Sequence, residues 1–257
     1  MLTTFRTLLR GALRDRVSLF FAIVFPIGFL LVLGFVFPDP GYRRQLLAGM
    51  LAVSTLFFSL NGMAFASLNQ RNSGVYKLLR ATPYRTITFI MNLTASRSIV
   101  ALLSCMLEIV VGVLVFGIAV SWQSVLLLLP GLVLGTLCFT FLGLTISNLV
   151  QNENQVAMLN NIVTLPMIFS SATFYSLSNA PAWVKAIGHV FPFSYLLDGE
   201  HAAFAGNAAG IVFPSLILLG FTVLSMLLAF VTFRWDPNAP VMRRVLRARV
   251  AKVDHAS

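Results

Sequence analysis

The chain has 257 residues, 58% of them apolar and only 10% charged, with 23 Phe and a mean hydropathy of +0.88. Soluble domains carry roughly a quarter charged residues, so a soluble enzyme, a secreted disulfide scaffold and a disordered chain are all excluded. What remains is an integral membrane protein with a net charge of +10.

Residues 1–16 read as an amphipathic helix at the membrane interface. Phe5, Leu8, Leu9, Ala12 and Leu13 recur at three- and four-residue spacing, while Arg6, Arg10 and Arg14 share another face. Thr3 or Thr4 is the candidate cap. The arginines would point toward anionic headgroups, and the helix is also placed to dock a cytoplasmic partner.

Six apolar runs follow: 17–37, 46–68, 98–120, 124–149, 156–175 and 209–233. Five carry no charge and the third carries only Glu108. As a helix the first run is about 32 Å long, enough for a hydrocarbon core of about 30 Å. Fifteen Lys and Arg fall on the side of the termini, against Arg43, Arg44 and Lys185 on the other. The positive-inside rule then predicts both termini in the cytoplasm of a multi-pass protein of the cell (inner) membrane. Period-two alternation, the mark of a transmembrane barrel, is absent. Cys105 and Cys138 both lie in apolar runs and read as small buried residues. No Gly-rich loop ending in Gly-Lys-Ser/Thr occurs, so the chain has no visible means of hydrolysing ATP.

Between the second and third runs, Arg71 to Pro83 reads as a short helix in a basic loop, with Ser73 as candidate cap and Pro83 as stop. Val75, Leu78 and Leu79 make an apolar face, and Lys77 and Arg80 project elsewhere. Glu108 is the one acid inside a span. It must face protein or a water-filled path, as a pathway or proton site, or bond as a neutral carboxyl to a facing helix bearing Asn61, Asn160 or Asn161. The turn at 151–155 is very short and carries only Glu153.

Segment 176–208 is moderately apolar and too short to span twice. It reads either as two half-length helices meeting near Pro192 or as an interfacial aromatic loop. His189, Asp198, Glu200 and His201 lie close in sequence but form no metal motif, and read as solvated residues at headgroup level. The basic tail, 234–257, suits anionic lipid, and no nucleic-acid fold accompanies its charge.

Three features occur in a telling order. A basic amphipathic helix precedes a first span that holds Pro26 and ends Gly34-Phe35-Val36-Phe37. A Gly-x-x-x-x-Leu-Leu-x-x-Thr-Pro segment, Gly74 to Pro83, follows the second span. Phe191-Pro192-Phe193-Ser194-Tyr195-Leu196-Leu197 precedes the last. Together they resemble the membrane subunit of the type-2 class of ABC exporters, from about Leu2 to Arg234. Two departures stand out. The family commonly places acidic residues before the glycine, where this chain has Arg71-Asn72-Ser73, and the resemblance does not account for the tail.

The resemblance implies an all-α, six-span membrane domain over 17–233. A coupling helix at 73–83 (Gly74, Val75, Lys77, Leu78, Leu79, Arg80, Pro83) would rest in a groove of a separate ATPase. External re-entrant helices at 176–208 would gate the exit, with Pro192, Phe193 and Tyr195 as candidates. Two cytoplasmic ATPase subunits would supply the ATP and Mg sites, this chain holding no cofactor. A second copy or a homologous permease would complete a dimer. The expected function is export of a drug- or lipid-like amphipath. A lipid-linked glycan or glycolipid is the runner-up cargo. A self-contained secondary transporter using Glu108, or an intramembrane enzyme, are the competing classes. The second class commonly buries several ionisable groups and repeats its spans, and the third needs a nucleophile with a base or a metal set.

Overall fold

A computed structural model describes residues 2–76, 86–171, 173 and 181–233, and these contain helices, turns and no strand. Helix α1 (Leu2–Arg14) ends at Asp15. Helix α2 (Arg16–Leu19), a π-helical turn (Phe20–Val24) and α3 (Phe25–Val36) then run on without a break. The widened turn has a local cause. Pro26 lacks an N–H and its ring crowds the carbonyl four residues back, which a wider turn relieves.

Asp39 opens the next rod, accepting from the Tyr42 N–H at 2.7 Å. The rod joins α4 (Pro40–Leu56), a second π turn (Phe57–Asn61) and α5 (Gly62–Asn72). After it come α6 (Thr86–Phe116), α7 (Trp122–Leu149) and α8 (Glu153–Phe169). Two short helices, α9 (Ala182–Val190) and α10 (Pro192–Phe204), precede the last, α11 (Ala208–Thr232). Ser121, Asn152 and Asn207 cap α7, α8 and α11 through side-chain oxygens that accept a backbone N–H.

Four helices are long and apolar enough to cross a membrane: Pro40–Asn72, Ile87–Phe116, Trp122–Leu149 and Ala208–Thr232. The other two expected spans are less regular. The first is divided by its π turn, leaving Phe25–Val36 as a shorter apolar helix. The fifth is helical for 17 residues before Ser170 ends it. The third begins about ten residues earlier than charge counting suggests, at Ile87, so Arg97 lies inside the helix.

The Pro40–Asn72 rod is the centre of the molecule. Its apolar window is 89% buried, against 28% for Ala208–Thr232. Helices α6, α7 and α10 all pack on α4, and α7 packs along α5 and α11. Lipid gives helices no hydrophobic drive to associate, so close crossings rely on small residues that let backbones approach. A Cβ on Gly143 of α7 would strike the Leu60 carbonyl in the second π turn, and one on Gly49 of α4 would strike the Thr173 carbonyl. The core between these helices is apolar, with Leu47, Leu51, Leu56, Leu60, Phe139, Phe193 and Leu196 almost wholly buried.

Candidate functional site

The segment expected to couple begins at Gly74. Lys77, Leu78, Leu79, Arg80 and Pro83 lie outside the described residues, as does the tail after Phe233. What precedes them is well defined. Ser73 does not cap the following helix. Its hydroxyl donates back to the Asn69 carbonyl at 2.8 Å, and its N–H donates to the same carbonyl, so it closes α5 instead. Gly74 follows with φ +77°, the left-handed conformation that ends helices and that glycine adopts without cost. Helical backbone resumes at Val75 and Tyr76.

Tyr76 and Arg71 fasten this junction to the rest of the molecule. Tyr76 is 1% exposed. Its ring meets Phe89 of α6 edge-on at 5.4 Å and Phe233, just past α11, at 5.6 Å. Its hydroxyl shares a 2.8 Å hydrogen bond with Ser67 of α5. Burial pushes the phenol up to about 12, against the opposing pull of the Ser67 bond and the Arg71 charge. Arg71, also buried, reaches the far end of α7 and donates to the Ser147 carbonyl at 2.9 Å and the Val150 carbonyl at 2.5 Å. A guanidinium over the C-terminus of a helix satisfies orphan carbonyls and complements the dipole. The basic residue that departs from the resemblance thus has an internal role.

The N-terminal helix meets the same end of the molecule. Arg6, Arg10 and Arg14 are exposed, Ala12 is buried, and Leu8 and Leu9 are half-buried against neighbouring clusters, with α1 lying on α6. Asp15 accepts from both terminal nitrogens of Arg97 at 3.4 Å. Arg97 is 5% exposed, so the pair offsets a charge sunk into α6.

Deeper in, Glu108 of α6 is fully buried, and neither of its oxygens has a hydrogen-bond partner. The asparagines expected to bond it do not. Asn160 is buried with both amide atoms unpartnered, Asn161 is exposed on α8, and Asn61 sits half-buried in the second π turn. Beside Glu108 are Cys105 on its own helix and Ser54 and Thr55 on α4. Cys105 lies 3.3 Å from the Thr55 hydroxyl and 3.8 Å from that of Ser54. Glu200 of α10 also belongs here. The sequence reading placed it at the headgroups in water, but it is fully buried and its oxygens too are unpartnered. A signal for this was present: residues three and four positions either side, Leu196, Leu197, Ala203 and Phe204, are all apolar and all buried.

The 176–208 segment is described from Pro181 onward and holds two short helices meeting at Phe191–Pro192. Pro192 and Phe193 are buried, and the Phe193 ring lies 6.4 Å from that of Phe139 on α7. The Tyr195 hydroxyl donates to the His189 carbonyl at 2.9 Å and so ties α10 to α9. Its ring lies 6.2 Å from Phe221 of α11. His189 and Asp198 are exposed and His201 is half-buried. Among the described residues no three of His, Cys, Asp and Glu gather around one ion position.

Comparison with known proteins places this architecture. The family model described as "ABC-2 type transporter" matches residues 2–205. The chain is also 22% identical over 161 residues to the protein named "Putative transport permease ycf38" of Porphyra purpurea. That match covers 63% of this chain and 55% of the relative, so the chain spans about half the relative's length. The family match takes in α1, the central rod, the Gly74 junction and all of α10, and on that extent the chain belongs to the ABC-2 type transporter family.

Proposed function

We propose that this chain is the permease subunit of an ATP-driven exporter, moving a drug- or lipid-like amphipath outward on energy supplied by separate ATPase subunits. Family membership supports a transport permease. The Gly74 junction carries the rest: a basic loop leaves the membrane domain at a left-handed glycine and is fastened at once by Tyr76 and Arg71 to four helices. A push on residues 77–83 from an ATPase would reach α5, α6 and α11 through Tyr76, and α7 through Arg71, without first compressing a soft linker. The orientation is both termini cytoplasmic in a cell (inner) membrane, six spans, with the 176–208 helices on the outer side as an exit gate. Two permeases, identical or homologous, sit on two ATPases that hold ATP and Mg.

The make-up of the interior supports that cargo. Among the described residues the buried groups are overwhelmingly apolar or small and polar, which suits an amphipath better than a polyanion. A tagged chain purified from its native membrane in mild detergent tests the reading. Co-purification of a stoichiometric protein bearing a Gly-x-x-x-x-Gly-Lys-Ser/Thr loop is the expected result. A preparation free of any ATPase yet active in liposomes without ATP would overturn it in favour of a self-contained transporter.

A further inference from the structure

We infer that Glu108 and Glu200 form a buried acid pair that binds a proton between α6 and α10. The pair belongs to no part of the coupling scheme, and the inference stands whether or not an ATPase drives this chain.

Two carboxyl groups from helices far apart in sequence are both 0% exposed, and all four of their oxygens lack a hydrogen-bond partner. They are near enough for their charges to interact, and Cys105 feels both. Helix α4 touches α6 and α10 and supplies the hydroxyls that line the gap. Ser54 lies beside Glu108, but its hydroxyl donates to the Leu51 carbonyl at 3.1 Å and makes no complete bond to the carboxyl. Thr55 is turned to Cys105. Two buried carboxylates whose charges act on each other, and which complete no hydrogen bond, cannot both stay ionised.

A cation would be the other way to relieve the pair, and among the described residues none is placed beside it. On α6 the nearest is Arg97, eleven residues and about 16 Å along the helix, and it is bound to Asp15. On α4 the arginines are Arg43 and Arg44, ten or more residues from Ser54. Arg43 donates to the Gly34 carbonyl at 2.9 Å and lies over the Phe116 ring, while Arg44 is exposed. Helices α7 and α11, which also pack on α10, carry no ionisable group except Cys138, whose thiol meets Ser225. Helix α8 bears only Glu153 at its exposed start, and α9, which also packs on α10, bears Lys185 and an exposed His189. On α10 itself Asp198 is exposed. His201 is half-buried with Nε2 unpartnered, and burial lowers its pKa, which favours the neutral ring. With four oxygens and, among the described residues, no cation beside them and no group of three metal ligands, the fitting occupant is a proton, which needs no cavity. The two carboxyls titrate as one unit. Loss of the proton would leave two like charges buried on α6 and α10.

Infrared spectroscopy of the full chain in lipid nanodiscs tests this directly. Glu153→Gln leaves Glu108 and Glu200 as the chain's glutamates, and glutamate labelled at the carboxyl carbon then marks only their bands. The expected result is a protonated-carboxyl stretch at neutral pH that shifts with the label and disappears in Glu108→Gln/Glu200→Gln. In either single variant the remaining carboxyl titrates at a different pH from the pair. A spectrum with only ionised glutamate at neutral pH would overturn the inference and call for a bound cation instead. The labelled Glu153→Gln protein decides this by itself if the double variant fails to fold.

Discussion

Arg97 and Glu108 sit on one helix about 16 Å apart, and the molecule treats their charges in opposite ways. Toward the end bearing the Gly74 junction, the buried cations have been given partners. Arg97 is held by Asp15, and Arg71 by two carbonyls at the end of α7. Further along α6, Glu108 has none, and the charge of Glu200 acts against it. A partnered charge fixes helices to one another and favours one arrangement. An unpartnered pair stores a cost that is released when its surroundings change. On the proposed function the first region would transmit force as a rigid piece, and the second would respond to a change of environment.

Substitutions can break or sharpen that contrast. The largest effect is expected at Tyr76, where α5, α6 and the chain after α11 meet. Tyr76→Ala should cost about 4 kcal/mol by opening a cavity under three elements, whereas Tyr76→Phe, which loses only the bond to Ser67, should cost about 1 kcal/mol. Thermal unfolding in detergent measures both, read by a thiol-reactive dye, because Cys105 and Cys138 are free and buried. Next comes Arg71→Met, expected to lose about 3 kcal/mol through its two charge-assisted bonds to carbonyls. Equal melting of wild type and this variant would show that the cap on α7 is idle. The smallest effect is expected in the middle. Glu108→Gln resembles a protonated carboxyl in shape and charge and should change stability by less than about 1 kcal/mol. Asp15→Asn, which strands the Arg97 charge, should cost more, about 2 kcal/mol. If Glu108→Gln were the more damaging of the two, the contrast between the regions would fail.

Much of the architecture was legible in the sequence because its signals are strong. Charge-free runs of twenty residues have few other uses, and the spacing of Phe5, Leu8, Leu9 and Ala12 against Arg6, Arg10 and Arg14 gave α1 its two faces. The break at Pro192 was visible for the same reason, since proline opens α10 where its missing N–H has no cost. What could not be read were pairings across the fold. Arg97 looked like the end of a loop because nothing local reveals that Asp15, 82 positions earlier, will neutralise it inside a helix. Arg71 read as the start of a basic loop helix, and its carbonyl acceptors lie 76 and 79 residues away. Ser73 obeyed the rule for a helix start, yet the same hydroxyl could close the helix before it, and Gly74 settled the choice. Glu200 was the avoidable miss. Its apolar neighbours on the helix repeat implied burial, but three ionisable residues close by suggested a wet surface.

The claim on which the account rests is that the segment following Gly74 receives the push of an ATPase, and its apolar face is the place to test it. Leu78→Asp with Leu79→Asp should insert in the membrane normally, and the complex reconstituted in liposomes should lose ATP-driven export. Undiminished export by that double variant would contradict the account.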